Sequence, residues 1–355
     1  MLFKGPCKSG TINIEGTIVA PKTQGAWKWG GINKGAWVKF SGISNLVIQG
    51  GGKIDGEGAS WWQTYPEITP NALQFHQCKN LRLSNLTHIN SPKIHISIYS
   101  CNDFSIANIH IIAPEKSQST DGIDITRSSN ILVENSNIET GGDCIAINNG
   151  STFINITGVT CGPGHGISVG SLGKNNTYET AEEIYVHNCT FIGTQNGARI
   201  KTWRWLTGFG SNHSSLLLLH DIVDFHYAVW VLVHSSFRSF GTPGGSGYAR
   251  KITFEDIILV GANNPIIIDE QFYAIGHNDI HTGVQVSDVT YDNVRGTTDS
   301  NNAISLTCDD KVGCTNLVFN NINITTMSGS EPFVECYMAH GKCSSSFPNV
   351  TCLSA

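Results

Sequence analysis

Charge is scarce in this chain. Asp, Glu, Lys and Arg make up only 14% of its 355 residues, and the formal net charge is −6. No polybasic run occurs, so the phosphate-neutralising surface that nucleic acid requires is missing. The longest apolar stretch, within 204–243, is too short to span a bilayer and is interrupted by Asp221, Asp224 and Arg238. No segment repeats its apolar residues with a helical period. Cys161 and His165 lack a second Cys/His pair at ligand spacing, which argues against a zinc site. Neither a metal nor a cofactor is expected.

Turn formers and cysteine are plentiful. There are 38 glycines, and Asn, Ser and Thr are abundant, as in a β-rich chain with many corners. Eleven cysteines accompany eight N-x-S/T sequons, at Asn85, Asn149, Asn155, Asn175, Asn188, Asn212, Asn323 and Asn349. One sequon means little, but eight in a Cys-rich chain point to secretion. No signal peptide opens the sequence, so a missing N-terminal segment is expected, one that could carry a partner for Cys7. The tail, with Cys308, Cys314, Cys336, Cys343 and Cys352, reads as disulfide-closed capping loops.

One phrase recurs: a turn residue, two or three alternating apolar positions, an Asn-rich corner, and a second short strand. It starts at Ser44, Lys79, Asn102, Ser129, Ser151 and Glu182, then at Arg250, Val284 and Thr315. Apart from the jump across 204–243 the spacing is roughly 22 to 35 residues, the range of a solenoid turn. The expectation is an all-β, right-handed parallel β-helix forming one domain over 1–355. A β-sandwich would not repeat one phrase so regularly. Residues 204–243 lack the phrase and read as an insert.

Candidate chemistry follows from local arithmetic. Asp121, Asp143 and His165 are each 22 residues apart. If a coil here has that length, all three leave one face of adjacent coils, about 4.8 Å from one to the next. Arg199 and Lys201 follow one coil later, on the same face by period-two alternation. Taken singly, either aspartate or the histidine could be a turn residue beside glycine, and the cations an ordinary solvated strand face. Together they suggest a groove that hydrolyses an acidic sugar chain. Two carboxyls would work as general acid or base, and the cations would hold a substrate carboxylate.

The segments S-T-D-G (119–122), G-D-C-I-A-I (142–147), G-H-G-I-S-V-G-S (164–171) and A-R-I-K-T-W (198–203) resemble the signature segments of polygalacturonases, glycoside hydrolase family 28. The likeness is closest to the plant branch and covers nearly the whole chain outside 204–243. It implies a right-handed parallel β-helix, no metal, an extracellular or cell-wall setting, and inverting hydrolysis of α-1,4-galacturonosyl linkages in pectin (homogalacturonan) by a monomer. By the same resemblance Asp121 and Asp143 activate water and His165 supports the reaction centre. Arg199 and Lys201 bind the galacturonate carboxylate, and Tyr273, in I-D-E-Q-F-Y, lines the substrate groove.

Departures from the family pattern qualify this. The family carries two adjacent aspartates before the cysteine, the first being the general acid, whereas this chain has Gly142-Asp143. Ser119 stands where Asn is usual. The family also has a further N-terminal segment, and passes directly from K-T-W to G-G-S-G-Y, without 204–243. Gly142 therefore predicts impaired turnover, and a non-catalytic galacturonan-binding protein of the same fold is the alternative. Hydrolysis of a related backbone such as rhamnogalacturonan is a third reading, disfavoured by the Arg-Ile-Lys segment.

Overall fold

The computed structural model describes residues 1–7, 9–28, 35–64, 69–203, 245–272 and 283–353. Within them, short strands stack in parallel register into two long sheets. Eleven strands make one sheet, from Leu2–Cys7 through Ala36–Ile43, Asn71–His76, Ile96–Tyr99, Ile123–Thr126, Ile145–Ile147, Ile167–Leu172, Asn196–Trp203, Asn264–Phe272 and Asn302–Thr307 to Phe333–Tyr337. Seventeen strands make the other. Successive strands of one sheet are separated in sequence by strands of the other, so the chain winds as a coil. Parallel crossovers of this kind turn right-handed, and the expected right-handed parallel β-helix is the fold.

Register shows why the apolar alternation was needed. Ile96, Ile123, Ile145, Ile167, Ala198, Ile266 and Ile304 pair in one continuous row, all fully buried. Each buried Ile contributes about 1.5–3 kcal/mol relative to exposure. Aromatic rings stack in the same way: Phe40 lies 5.3 Å from Phe75, and Tyr291 lies 5.1 Å from Phe319. The Asn-rich corners turn through left-handed backbone, as at Asn45 (φ 56°), Asn80 (φ 53°) and Asn130 (φ 55°), which Asn tolerates better than most residues. Asn80 Nδ2 donates to Asn45 Oδ1 at 2.6 Å, linking corners of neighbouring coils.

The 22-residue coil holds where it was inferred, because Ile123, Ile145 and Ile167 are direct neighbours. Disulfides join Cys308 to Cys314 and Cys336 to Cys352 in the tail. The tail expectation needs one correction, since Cys343 is a free thiol bonded to Ser346. Cys144 and Cys161 form a third disulfide that the spacing did not suggest. No helix among the described residues is long and apolar enough to cross a membrane. Residues 204–243, expected to be an insert, lie wholly outside the described residues.

Candidate active site

Asp121, Asp143 and His165 each sit two residues before a strand of the eleven-stranded sheet: Ile123–Thr126, Ile145–Ile147 and Ile167–Leu172. Register puts them side by side at one edge of that sheet. Arg199 and Lys201 project from Asn196–Trp203, on the coil after His165. A glycine follows Asp121 for a packing reason: a Cβ at Gly122 would lie 2.5 Å from the Cys144 carbonyl oxygen. The backbones of these two coils therefore approach too closely for a side chain at this position.

Asp143 is the hub. Its Oδ1 accepts from Arg199 Nη2 at 2.5 Å and from Ser168 Oγ at 3.0 Å, and its Oδ2 accepts from Lys201 Nζ at 2.8 Å. Arg199 Nε also donates to Ser168 Oγ at 2.8 Å. All four side chains are buried. Burial pushes the Asp143 carboxyl up, but Arg199 and Lys201 outweigh this and hold it below the usual carboxylate range. The two cations accordingly favour Asp143 as the anion. A solvated strand face for Arg199 and Lys201 is excluded.

Asp121 lives differently. Its Oδ1 accepts the Asp143 backbone N–H at 2.7 Å. Burial and the adjacent Asp143 charge push its carboxyl up to about 6, against the pull of that N–H and of Lys201. Above it is Gly142, and a Cβ there would lie 2.1 Å from Asp121 Oδ1. A side chain at 142 would therefore require the Asp121 carboxyl to shift.

His165 is half-buried, and its backbone N–H donates to the Gly142 carbonyl at 2.7 Å. Burial lowers its pKa; Asp143 opposes the shift, and Arg199 and Lys201 reinforce it. The imidazole is thereby biased towards its neutral form. The Cys144–Cys161 disulfide fastens the strand after Asp143 to the turn that carries His165. Tyr273 lies outside the described residues.

Two participants escaped the sequence reading. Ser168 bridges Asp143 and Arg199, and Asp124 sits half-buried beside the cluster, its Oδ1 lacking a partner among the described residues. Burial, then the charges of Asp121 and Asp143, raise the Asp124 carboxyl well above its usual range. The signal was present: Asp124, Ala146 and Ser168 repeat the 22-residue interval and form one outward row.

Two carboxyls with opposed proton affinities lie on adjacent coils of a β-helix, an arrangement able to do acid–base chemistry. Comparison with known proteins agrees. The family model "Glycosyl hydrolases family 28" matches residues 1–214 and 236–345. A probable polygalacturonase of Arabidopsis thaliana is 41% identical over 99% of this chain and 69% of its own length. The polygalacturonase of Persea americana is 37% identical over 94% of this chain and 66% of its own. Among solved structures, the endo-xylogalacturonan hydrolase of Aspergillus tubingensis shares the fold, with TM-score 0.71 at 20% identity over 100% of this chain and 90% of its own. The chain belongs to glycosyl hydrolases family 28.

Proposed function

We propose that this protein hydrolyses α-1,4-galacturonosyl linkages of pectin with inversion, acting outside the cell on the wall polysaccharide. The observation that carries the reading is the Asp143 hub: an ionised carboxylate held by two cations and Ser168 beside a second, more weakly acidic carboxyl. Asp143 offers about four lone-pair sites, of which three are taken by Arg199, Ser168 and Lys201. The fourth accepts the proton of an attacking water. Asp121 supplies the second carboxyl, and His165 supports the centre. Arg199 and Lys201 bring positive charge to the groove floor, where a galacturonate carboxylate is attracted. Tyr273 remains a candidate groove residue on the family resemblance alone. Similarity to plant polygalacturonases supports galacturonan as the substrate, and three disulfides together with exposed sequon asparagines such as Asn85, Asn155 and Asn188 support secretion.

A binding protein that holds galacturonan without cleaving it is the second reading, favoured by one observation: no carboxyl stands at Gly142. Release of reducing ends from polygalacturonate by the purified protein decides between them. Turnover abolished by Asp143→Asn supports the hydrolase; retention of polygalacturonate with no release supports the binder.

A further inference from the structure

We propose that the ring pair His76–Tyr99, with Arg127 beside it, is a distal subsite that binds a galacturonate unit of the polymer away from the reaction centre. The proposal rests on galacturonan as the ligand, as in the reading above, and adds where the chain is held outside the scissile bond.

Three strands of the eleven-stranded sheet immediately precede the coil of Asp121: Ala36–Ile43, Asn71–His76 and Ile96–Tyr99. Gln74 and Ser97 continue the outward row of Asp124, Ala146 and Ser168. Ser41, His76, Tyr99 and Thr126 form the row beside it, on the same face of the sheet. Tyr99 stands two coils before the strand that follows Asp143, so roughly 10 Å along the axis separates them. None of the three strands contains Asp or Glu, and a polyanion laid along them meets no like charge.

His76 and Tyr99 pair in register, with ring centroids 5.5 Å apart and planes at 33°. Both are half-buried. Burial, then the nearby charge of Lys39, lowers the His76 pKa and biases that ring to its neutral form. Arg127 follows Thr126, on the next coil. Its guanidinium lies 5.7 Å from the Tyr99 ring centroid, and Nη1 donates to the Tyr99 hydroxyl at 2.9 Å. On the other side a Cβ at Gly150 would come within 3.1 Å of Arg127 Cγ, so the absence of a side chain there leaves room for the arginine stem.

Two features distinguish this arrangement from internal packing. Arg199 and Arg250 are paired with the carboxylates of Asp143 and Glu182, whereas Arg127 is exposed and has no ion pair with a carboxylate among the described residues. Its charge is uncommitted. The Tyr99 hydroxyl accepts from Arg127, which leaves its own proton to donate to a ligand oxygen. A pyranose presents C–H groups on one face, suited to packing on an aromatic ring. Galacturonate adds a carboxylate, which a guanidinium can bind through two N–H groups.

The test measures kcat and KM for reducing-end release from polygalacturonate, and Kd for polygalacturonate and for its uncharged, carboxyl-reduced counterpart. The unaltered chain is compared with Arg127→Gln, Tyr99→Ala and Tyr99→Phe. Arg127→Gln should raise KM and Kd for polygalacturonate about tenfold, the scale of one lost charge-assisted hydrogen bond, while Kd for the uncharged polymer moves by less than about twofold. Tyr99→Ala should weaken binding of both polymers about three- to tenfold, and Tyr99→Phe, which keeps the ring, should recover most of that loss. The loss should fall on KM, with kcat moving by less than about twofold, as for an interaction made equally in ground and transition states. Values of KM and Kd for polygalacturonate within about twofold of the unaltered chain in both Arg127→Gln and Tyr99→Ala overturn the subsite and leave the hydrolase reading intact. A fall in kcat at constant KM overturns it too, since the rings would then merely support the catalytic coils. Equal weakening of both polymers by Arg127→Gln overturns the uronate assignment. If Tyr99→Ala does not fold, the exposed Arg127→Gln decides alone; if the chain binds without cleaving, the Kd values decide. An unaltered chain that neither binds nor cleaves polygalacturonate removes the functional reading and the subsite together.

Discussion

His88 offers a measurement whose size can be worked out beforehand. It occupies a row of apolar neighbours, pairing with Ile54 on one coil and Ile111 on the next, and beyond Ile111 come Ile138 and Cys161. It is fully buried, and neither ring nitrogen has a hydrogen-bond partner among the described residues. Burial, with a smaller push from His95 at 6.4 Å, lowers its pKa to about 3. A histidine depressed in the folded state gives full stability above the unfolded value and loses it as pH falls. The unfolded imidazole titrates near 6.5, so the relevant window runs from about 6.5 down to 3. At pH 4.5 the unfolded ring is almost wholly protonated and the folded ring is not. Two pH units at about 1.36 kcal/mol each give a loss of roughly 2.7 kcal/mol relative to pH 7.5.

Other buried groups also titrate in this range: Asp121 and Asp124 shift in the opposite sense, and His95 is lowered to about 4. Their contributions are shared by the protein and a His88→Ile variant, and cancel in the difference. Isoleucine continues the apolar row and removes two unpaired nitrogens. It should stabilise the protein by about 1–3 kcal/mol at pH 7.5, with the gain growing by about a further 2.7 kcal/mol at pH 4.5. Urea unfolding at both pH values, followed by tryptophan fluorescence, measures the change. A gain that stays constant within 0.5 kcal/mol between the two would refute the reasoning, since it would mean that His88 protonates in the folded state about as readily as in the unfolded one.

Two further outcomes are expected. Asp143→Asn strands the buried Arg199 and Lys201 charges, so urea unfolding should register a loss of about 3–5 kcal/mol. Removing the Cys144–Cys161 bridge by serine at both positions opens a loop of sequence separation 17. Stability should fall by about 3 kcal/mol in a thermal or urea melt, and kcat should fall with it as the His165 turn loosens.

Asp121, Asp143 and His165 show how far sequence alone reaches. In a parallel solenoid, residues separated by one coil length are neighbours, so equal intervals in sequence become adjacency in space. The 22-residue interval set this trio in one column, and the recurring apolar phrase fixed the fold that makes such arithmetic valid. The same interval would have found Asp124 and Ser168, since Asp124, Ala146 and Ser168 repeat it. The Cys144–Cys161 bridge was less legible, because its partners lie within a single turn of chain and not one coil apart. Gly142 was visible as a missing carboxyl. Only the tertiary structure revealed that the Asp121 carboxyl lies against Gly142 and that Arg199 and Lys201 bind Asp143 across two coils. Those outcomes depend on side-chain direction and on which charges share a low-dielectric pocket, and neither is encoded in spacing. Residue intervals settled which groups meet; burial and hydrogen bonding decided which of them holds a proton.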